Sequence, residues 1–185
     1  MPFRAFISAD LPPLPSIASF LEELRGASRD LKLVSADHLH LTLKFLGDTE
    51  DGLVPEIVSA MREASEGIPP LTVTVRGTGA FPNLSRPRVV WIGLEGAESL
   101  ARIARALEEN LRALGFVPES RAWSPHVTLA RVRIPRGLDR VRDLLERRQD
   151  ETFAQVRIED IRLKKSVLQP QGPEYTTVES VRLSD

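Results

Sequence analysis

HLHLTLKFLGD, residues 38 to 48, has the apolar density of a buried β-strand yet carries two histidines and a threonine. Alternate side chains of a strand point to opposite faces, so His40, Thr42 and Lys44 are expected to share one face. Leu41, Leu43 and Phe45 should then form the other, as core. The pattern recurs further along. PHVTLAR, residues 125 to 131, sets His126 and Thr128 against Val127 and Leu129, so two of the three histidines sit in the same four-letter pattern. Strict alternation turns Arg131 away from His126, and only a bulge or the strand's end would bring it back.

The surroundings read as an α+β chain with antiparallel sheets. FRAFISA (3–9) is β-like, and Ile17, Phe20, Leu21 and Leu24 then recur at helical spacing. Leu53, Ile57, Val58 and Met61 mark a second helix, followed by strands in LTVTVRGTGAFP (71–82) and PRVVWIGLEG (87–96). A third helix spans ESLARIARALEENLRALGF (98–116), with Gly115 at its C-cap, and GLDRVRDLLERRQ (137–149) reads as a short basic helix. TFAQVRIEDIRLKKSVL (152–168) and EYTTVESVRL (174–183) read as the last two strands, joined at QPQGP. Helix, His-x-Thr strand, helix and further strands follow in both halves. That order predicts an internal duplication with His40 and His126 in equivalent places.

Composition narrows the chemistry. With no cysteine there is no disulfide, thiolate metal site or cysteine nucleophile. Neither a signal-like lead nor a membrane-length apolar run is present, so a soluble cytoplasmic protein is expected. Lys+Arg 25 against Asp+Glu 26 argues against indiscriminate coating of nucleic acid. Eight arginines lie between Arg121 and Arg148, and a solvated, partly ion-paired surface is favoured for them over a phosphate-binding face. His38 and His40 form a His-x-His pair. Without a third histidine nearby, that pair reads better as a loop-edge residue beside a functional one than as a metal site.

Histidine changes protonation near neutrality, so two imidazoles can act as base and acid in one reaction. A threonine two residues along offers a hydroxyl to an anion's oxygen. Two such pairs facing each other would hold a phosphate from both sides.

HLHLTLKFLG and SPHVTLAR, together with FRAFIS, GTGAFP, PRVVWIG and LKKSVLQPQGPEYT, resemble the motifs of the 2H phosphoesterase superfamily. The match is specifically to its RNA 2′,3′-cyclic phosphodiesterases, the LigT-like 2′-5′ RNA ligases. The resemblance implies a bilobal fold of pseudo-symmetric lobes, with antiparallel sheets facing a central cleft and helices outside, in a single unit over residues 1–185. It further implies metal- and cofactor-free opening of a 2′,3′-cyclic phosphate to a 2′-phosphomonoester, with reversible 2′-5′ ligation, by a monomer acting on RNA ends. His126 is then the base and His40 the acid, while Thr42, Thr128 and Arg131 hold the phosphate. Lys44 and Tyr175 are candidate substrate contacts, Ser166 matches a recurring family position, and Phe6 is expected in the core. Where many relatives carry a tryptophan before the first motif, this chain has Lys32, Leu33 and Val34, which leaves no aromatic platform there. Two rival readings are a cyclic phosphodiesterase of small nucleotides such as ADP-ribose cyclic phosphates, and a non-catalytic module that binds RNA ends.

Overall fold

A computed structural model describes all 185 residues, Met1–Asp185. Nine strands form one curled antiparallel sheet: β1 Phe3–Asp10, β2 Leu31–Leu33, β3 His40–Thr49, β4 Leu71–Phe81, β5 Val89–Glu95, β6 His126–Val132, β7 Thr152–Ile158, β8 Asp160–Gln169 and β9 Gly172–Arg182. Their spatial order is β7-β4-β5-β6-β3-β1-β8-β9, with β2 pairing β6. Four helices pack outside it: α1 Pro15–Ala27, α2 Val54–Ser65, α3 Glu98–Arg112 and α4 Asp139–Arg147. No helix is long and apolar enough to cross a membrane.

Helical periodicity decides how each helix docks. Ile17, Phe20, Leu21 and Leu24 are the buried face of α1, and Leu100, Ile103, Ala104, Leu107 and Leu111 that of α3, as their spacing predicts. Proline opens α1 and α2, where its missing N–H costs nothing. Gly115, at φ +91, turns the chain beyond the end of α3 in a conformation that L side chains rarely adopt. Helices α2 and α3 pack on each other behind the half of the sheet containing β3 and β9, while α1 and α4 back β7 and β4. One contiguous cluster of 43 buried side chains runs through both halves.

Two departures from the sequence reading matter. Residues 152–168 form two strands instead of one: β7 pairs β4 at one edge, and after Glu159 the chain passes to β8, which pairs β1 in the other half. Burial shifts parity at this point, from Val156 and Ile158 to Ile161 and Leu163. Second, the two halves meet where β3 and β6 pair at a single position, Leu41 opposite Val127. Beyond it, β2 takes over the β6 edge at Ala130–Val132.

Candidate active site

The Leu41–Val127 pairing sets the geometry of the groove. Because the strands are antiparallel, His40 flanks that pair on the side of Thr128, and Thr42 flanks it on the side of His126. All four project from the same face. In a regular ladder His40 and His126 would be diagonal neighbours about 7–8 Å apart, a separation at which two rings can reach one phosphoryl group.

Each histidine is seated in the same way. His40 Nδ1 lies 2.9 Å from the carbonyl of His38, and His126 Nδ1 lies 2.8 Å from that of Ser124, in both cases two residues back. A carbonyl only accepts, so Nδ1 carries the proton and Nε2 is left for chemistry. An aromatic ring walls each imidazole. Phe6 lies 5.0 Å from His40 and Phe81 4.9 Å from His126, centroid to centroid. Trp91 packs beside Phe81, and its ring leaves no room for a Cβ on Gly79, which would approach to 2.3 Å.

The two strands also share a bulge, and here alternation fails. In β3 the pairing with β1 steps from Thr42 to Lys44 and skips Leu43; in β6 the pairing with β5 steps from Thr128 to Ala130 and skips Leu129. An extra residue reverses the parity of everything after it. Lys44, expected on the His40 face, therefore turns to the helix side. It is 2 % exposed, 2.9 Å from Glu108 of α3, and donates to the Val117 carbonyl at 2.8 Å. Lys44 is structural. Phe45, expected in the core, instead takes the groove face opposite Phe6 and is 58 % exposed. The equivalent bulge returns Arg131 to the groove face of β6, where its charge reaches both His126 and Tyr175.

Other expectations divide. Phe6 is buried but lies under His40 and outside the main core cluster, so it is groove floor. Tyr175 packs edge-on against His40 at 5.4 Å and Phe6 at 5.3 Å, and lies opposite Ser166 across β8 and β9. His38 is exposed and serves His40 through its carbonyl. The arginine-rich run contributes Arg131 to the groove, whereas Arg142 pairs with Asp139, and Arg148 with Glu23 and Glu151.

Sequence reasoning missed Asp10. It faces His40 across β1 and β3 and is held by Lys164 at 2.7 Å, Arg162 at 3.3 Å and Ser8 at 2.6 Å. The signal was available in FRAFISAD, whose alternation sets Phe6, Ser8 and Asp10 on one face. Burial alone would raise the Asp10 pKa. Hydrogen bonds from Lys164 and Ser8 and the charges of Lys164 and Arg162 outweigh burial and hold it below its ordinary value.

These surroundings give the histidines different biases. Burial pushes His40 below its ordinary pKa, its bond to the His38 carbonyl and the Asp10 carboxylate pull it up, and Lys164 and His38 push it down. Burial likewise lowers His126, its bond to the Ser124 carbonyl opposes this, and Arg131 lowers it further. A carboxylate favours the charged imidazole and a guanidinium the neutral one. Asp10→Asn should therefore leave His40 facing the Lys164 charge unopposed. The alkaline limb of any rate that needs protonated His40 should move to lower pH, with a fall in rate at pH 7. A pH–rate series on this variant checks it, and an unmoved limb would contradict it.

Known proteins share the sequence and the fold. A family model described as the 2'-5' RNA ligase superfamily matches residues 13–167. A Methanothermobacter thermautotrophicus protein named RNA 2',3'-cyclic phosphodiesterase is 36% identical over 185 residues, covering 99% of this chain and 100% of its own. A protein of the same name from Aeropyrum pernix is 40% identical over 167 residues, 90% of this chain and 94% of its own. Among solved structures, TT0787 of Thermus thermophilus superposes with a TM-score of 0.81 at 29% identity, covering 97% of each chain. Escherichia coli LigT shares the fold, with a TM-score of 0.78 at 23% identity over 100% of each chain. With paired His-x-Thr strands, the sheet order and near full-length relatives all in accord, this chain belongs to the 2'-5' RNA ligase superfamily of 2H phosphoesterases.

Proposed function

We propose that the chain, acting as one bilobal monomer, is a metal-independent RNA 2′,3′-cyclic phosphodiesterase that also joins such ends to a 5′-hydroxyl through a 2′-5′ bond. The observation that carries this reading is the pairing of His40–Thr42 with His126–Thr128 about Leu41 and Val127. The relatives' shared name gives the substrate class.

His126, within reach of the Arg131 charge, is disposed to be neutral and serves as the base; His40, paired across the strands with Asp10, is the acid. Nε2 of His126 takes a proton from water as its oxygen attacks phosphorus. The P–O3′ bond breaks opposite, and O3′ takes a proton from Nε2 of His40, leaving a 2′-phosphomonoester. Thr42, Thr128 and Arg131 offset charge on the remaining phosphoryl oxygens. In ligation a 5′-hydroxyl replaces the water with the same roles, and cleavage of the 2′-5′ product exchanges them.

Both imidazoles sit below their ordinary pKa in the free protein. The base must be neutral and the acid protonated, so the acid limb reports His126 and the alkaline limb His40. The profile of kcat/KM should be a bell with its maximum at or below about pH 6.5. A plateau extending well above neutrality would contradict the assignment. The test of substrate is turnover of an RNA oligonucleotide ending in a 2′,3′-cyclic phosphate beside a 2′,3′-cyclic mononucleotide. A clear preference for the mononucleotide would transfer the reading to small nucleotides.

A further inference from the structure

The groove is unlike at its two ends, and the register of β3 and β6 says which end belongs to which histidine. Moving along β3 from His40 to Phe45 means moving along β6 from Thr128 back past His126. Phe45 therefore lies at the His126 end and Arg131 at the His40 end. The His40 end opens into a cavity of about 440 Å³ lined by charges of both signs, the cations Arg157, Arg162 and Lys164 beside the carboxylates of Asp10, Asp37, Glu159 and Asp160. Past Phe45, between the end of β3 and the segment that follows α3, a cavity of about 490 Å³ is walled by Phe45, Leu46, Leu114, Phe116, Val117 and Pro118. Its only charged lining residues are Asp48 and Glu119; it holds no lysine or arginine. Phe45 is shared between the two sites, since it also faces Phe6 on the groove floor at 6.5 Å. Val117 is 82 % exposed, a second apolar side chain held out to solvent beside it.

In-line displacement puts the attacking and departing oxygens on opposite sides of phosphorus. On the reading above, the nucleophile sits on the His126 side. When that nucleophile is a 5′-hydroxyl and not water, its ribose and base must extend beyond His126, toward Phe45. A chain that begins with a 5′-hydroxyl has no terminal phosphate to neutralise. An apolar, cation-free recess suits its first nucleobase, and would repel a 5′-phosphate through Asp48 and Glu119.

We propose that the recess walled by Phe45, Phe116 and Val117 is the acceptor subsite: it binds the nucleoside whose 5′-oxygen attacks in ligation and departs when a 2′-5′ linkage is cleaved. This rests on the phosphodiesterase and ligase reading. In the joining step O5′ bonds to phosphorus as its proton passes to His126. The P–O3′ bond breaks, and O3′ takes a proton from His40, so a 2′-5′ phosphodiester forms with no other reactant. Water needs no such subsite.

The experiment compares wild type, Phe45→Ala, Phe45→Trp and Val117→Ser on two substrates: an oligonucleotide with a 2′,3′-cyclic phosphate end, and a 2′-5′-linked diribonucleotide. Base stacking on an aromatic ring contributes about 1–3 kcal/mol, so Phe45→Ala should lower the ratio of 2′-5′ cleavage to cyclic-end hydrolysis about tenfold or more. Phe45→Trp should restore the ratio, and Val117→Ser should lower it by a smaller factor. An unchanged ratio in Phe45→Ala would overturn the subsite alone, whereas a wild-type protein that opens the cyclic end but leaves the 2′-5′ linkage intact would overturn the subsite and the joining activity but not the hydrolysis. Wild type inactive on both substrates would overturn the phosphodiesterase reading and the subsite with it.

Discussion

His40→Ala and His126→Ala should each slow hydrolysis of a cyclic-phosphate RNA end by about 10²–10⁴-fold, the range general acid–base catalysis supplies. Each ring has one nitrogen tied to a carbonyl two residues back and the other left for proton transfer. Neither can replace its partner. With the acid gone, O3′ must depart as an alkoxide; with the base gone, un-ionised water must attack. The double variant should be far less impaired than the product of the two single losses, because the pair works as one unit. Initial rates on a defined oligonucleotide check this. A wild-type rate from either single variant would remove that residue from the chemistry. A clamp that only binds RNA ends would leave no hydrolysis to lose.

The second large effect concerns stability and separates Lys44 from the reaction. The Lys44 side chain is 1% exposed and its partner Glu108 is 26% exposed. Glu108→Leu would strand an ammonium among apolar groups with only the Val117 carbonyl to accept from it. That should cost about 3 kcal/mol, the lower part of the range for breaking a buried pair. Lys44→Met should cost less, since Glu108 keeps some solvent and the Glu119 N–H. Lys44→Met combined with Glu108→Leu should recover most of the loss, because two apolar groups of similar volume replace the pair. Urea unfolding of the three variants measures the order. A double variant less stable than Glu108→Leu alone would contradict it. The pair also matters to the site at one remove, because it pins Val117, and Trp123 of the following stretch donates to the Thr42 carbonyl. That stretch ends at Ser124, whose carbonyl seats His126.

The strand and helix order was legible because each amphipathic period matches the face it buries, and the His-x-Thr repeats were legible because period two holds from His40 to Thr42 and from His126 to Thr128. It holds no further. The bulges at Leu43 and Leu129 leave no mark in a pattern of apolar letters, so strict alternation puts Lys44 and Phe45 on each other's faces and leaves Arg131 dependent on a bulge that the sequence does not announce. These departures share one cause. A bulge is set by how neighbouring strands twist and pair, which is a property of the sheet and not of the strand's own residues. The continuous reading of residues 152–168 failed for a related reason: β7 and β8 both alternate, and only the parity break about Glu159 tells them apart. Asp10 has no such signal of its own in the sequence beyond the face it shares with Phe6 and Ser8, because its meaning depends on Lys164 and Arg162, more than 150 residues away.

The central claim is that two imidazoles, one from each half, meet on a single phosphorus atom. A crystal structure with a nucleoside 2′-phosphate bound tests it most directly. The account predicts phosphate oxygens within about 2.6–3.2 Å of Nε2 of both His40 and His126, with the Thr42 and Thr128 hydroxyls on the remaining oxygens. A phosphate held by one histidine alone, or seated among Arg157, Arg162 and Lys164 away from His126, would contradict it.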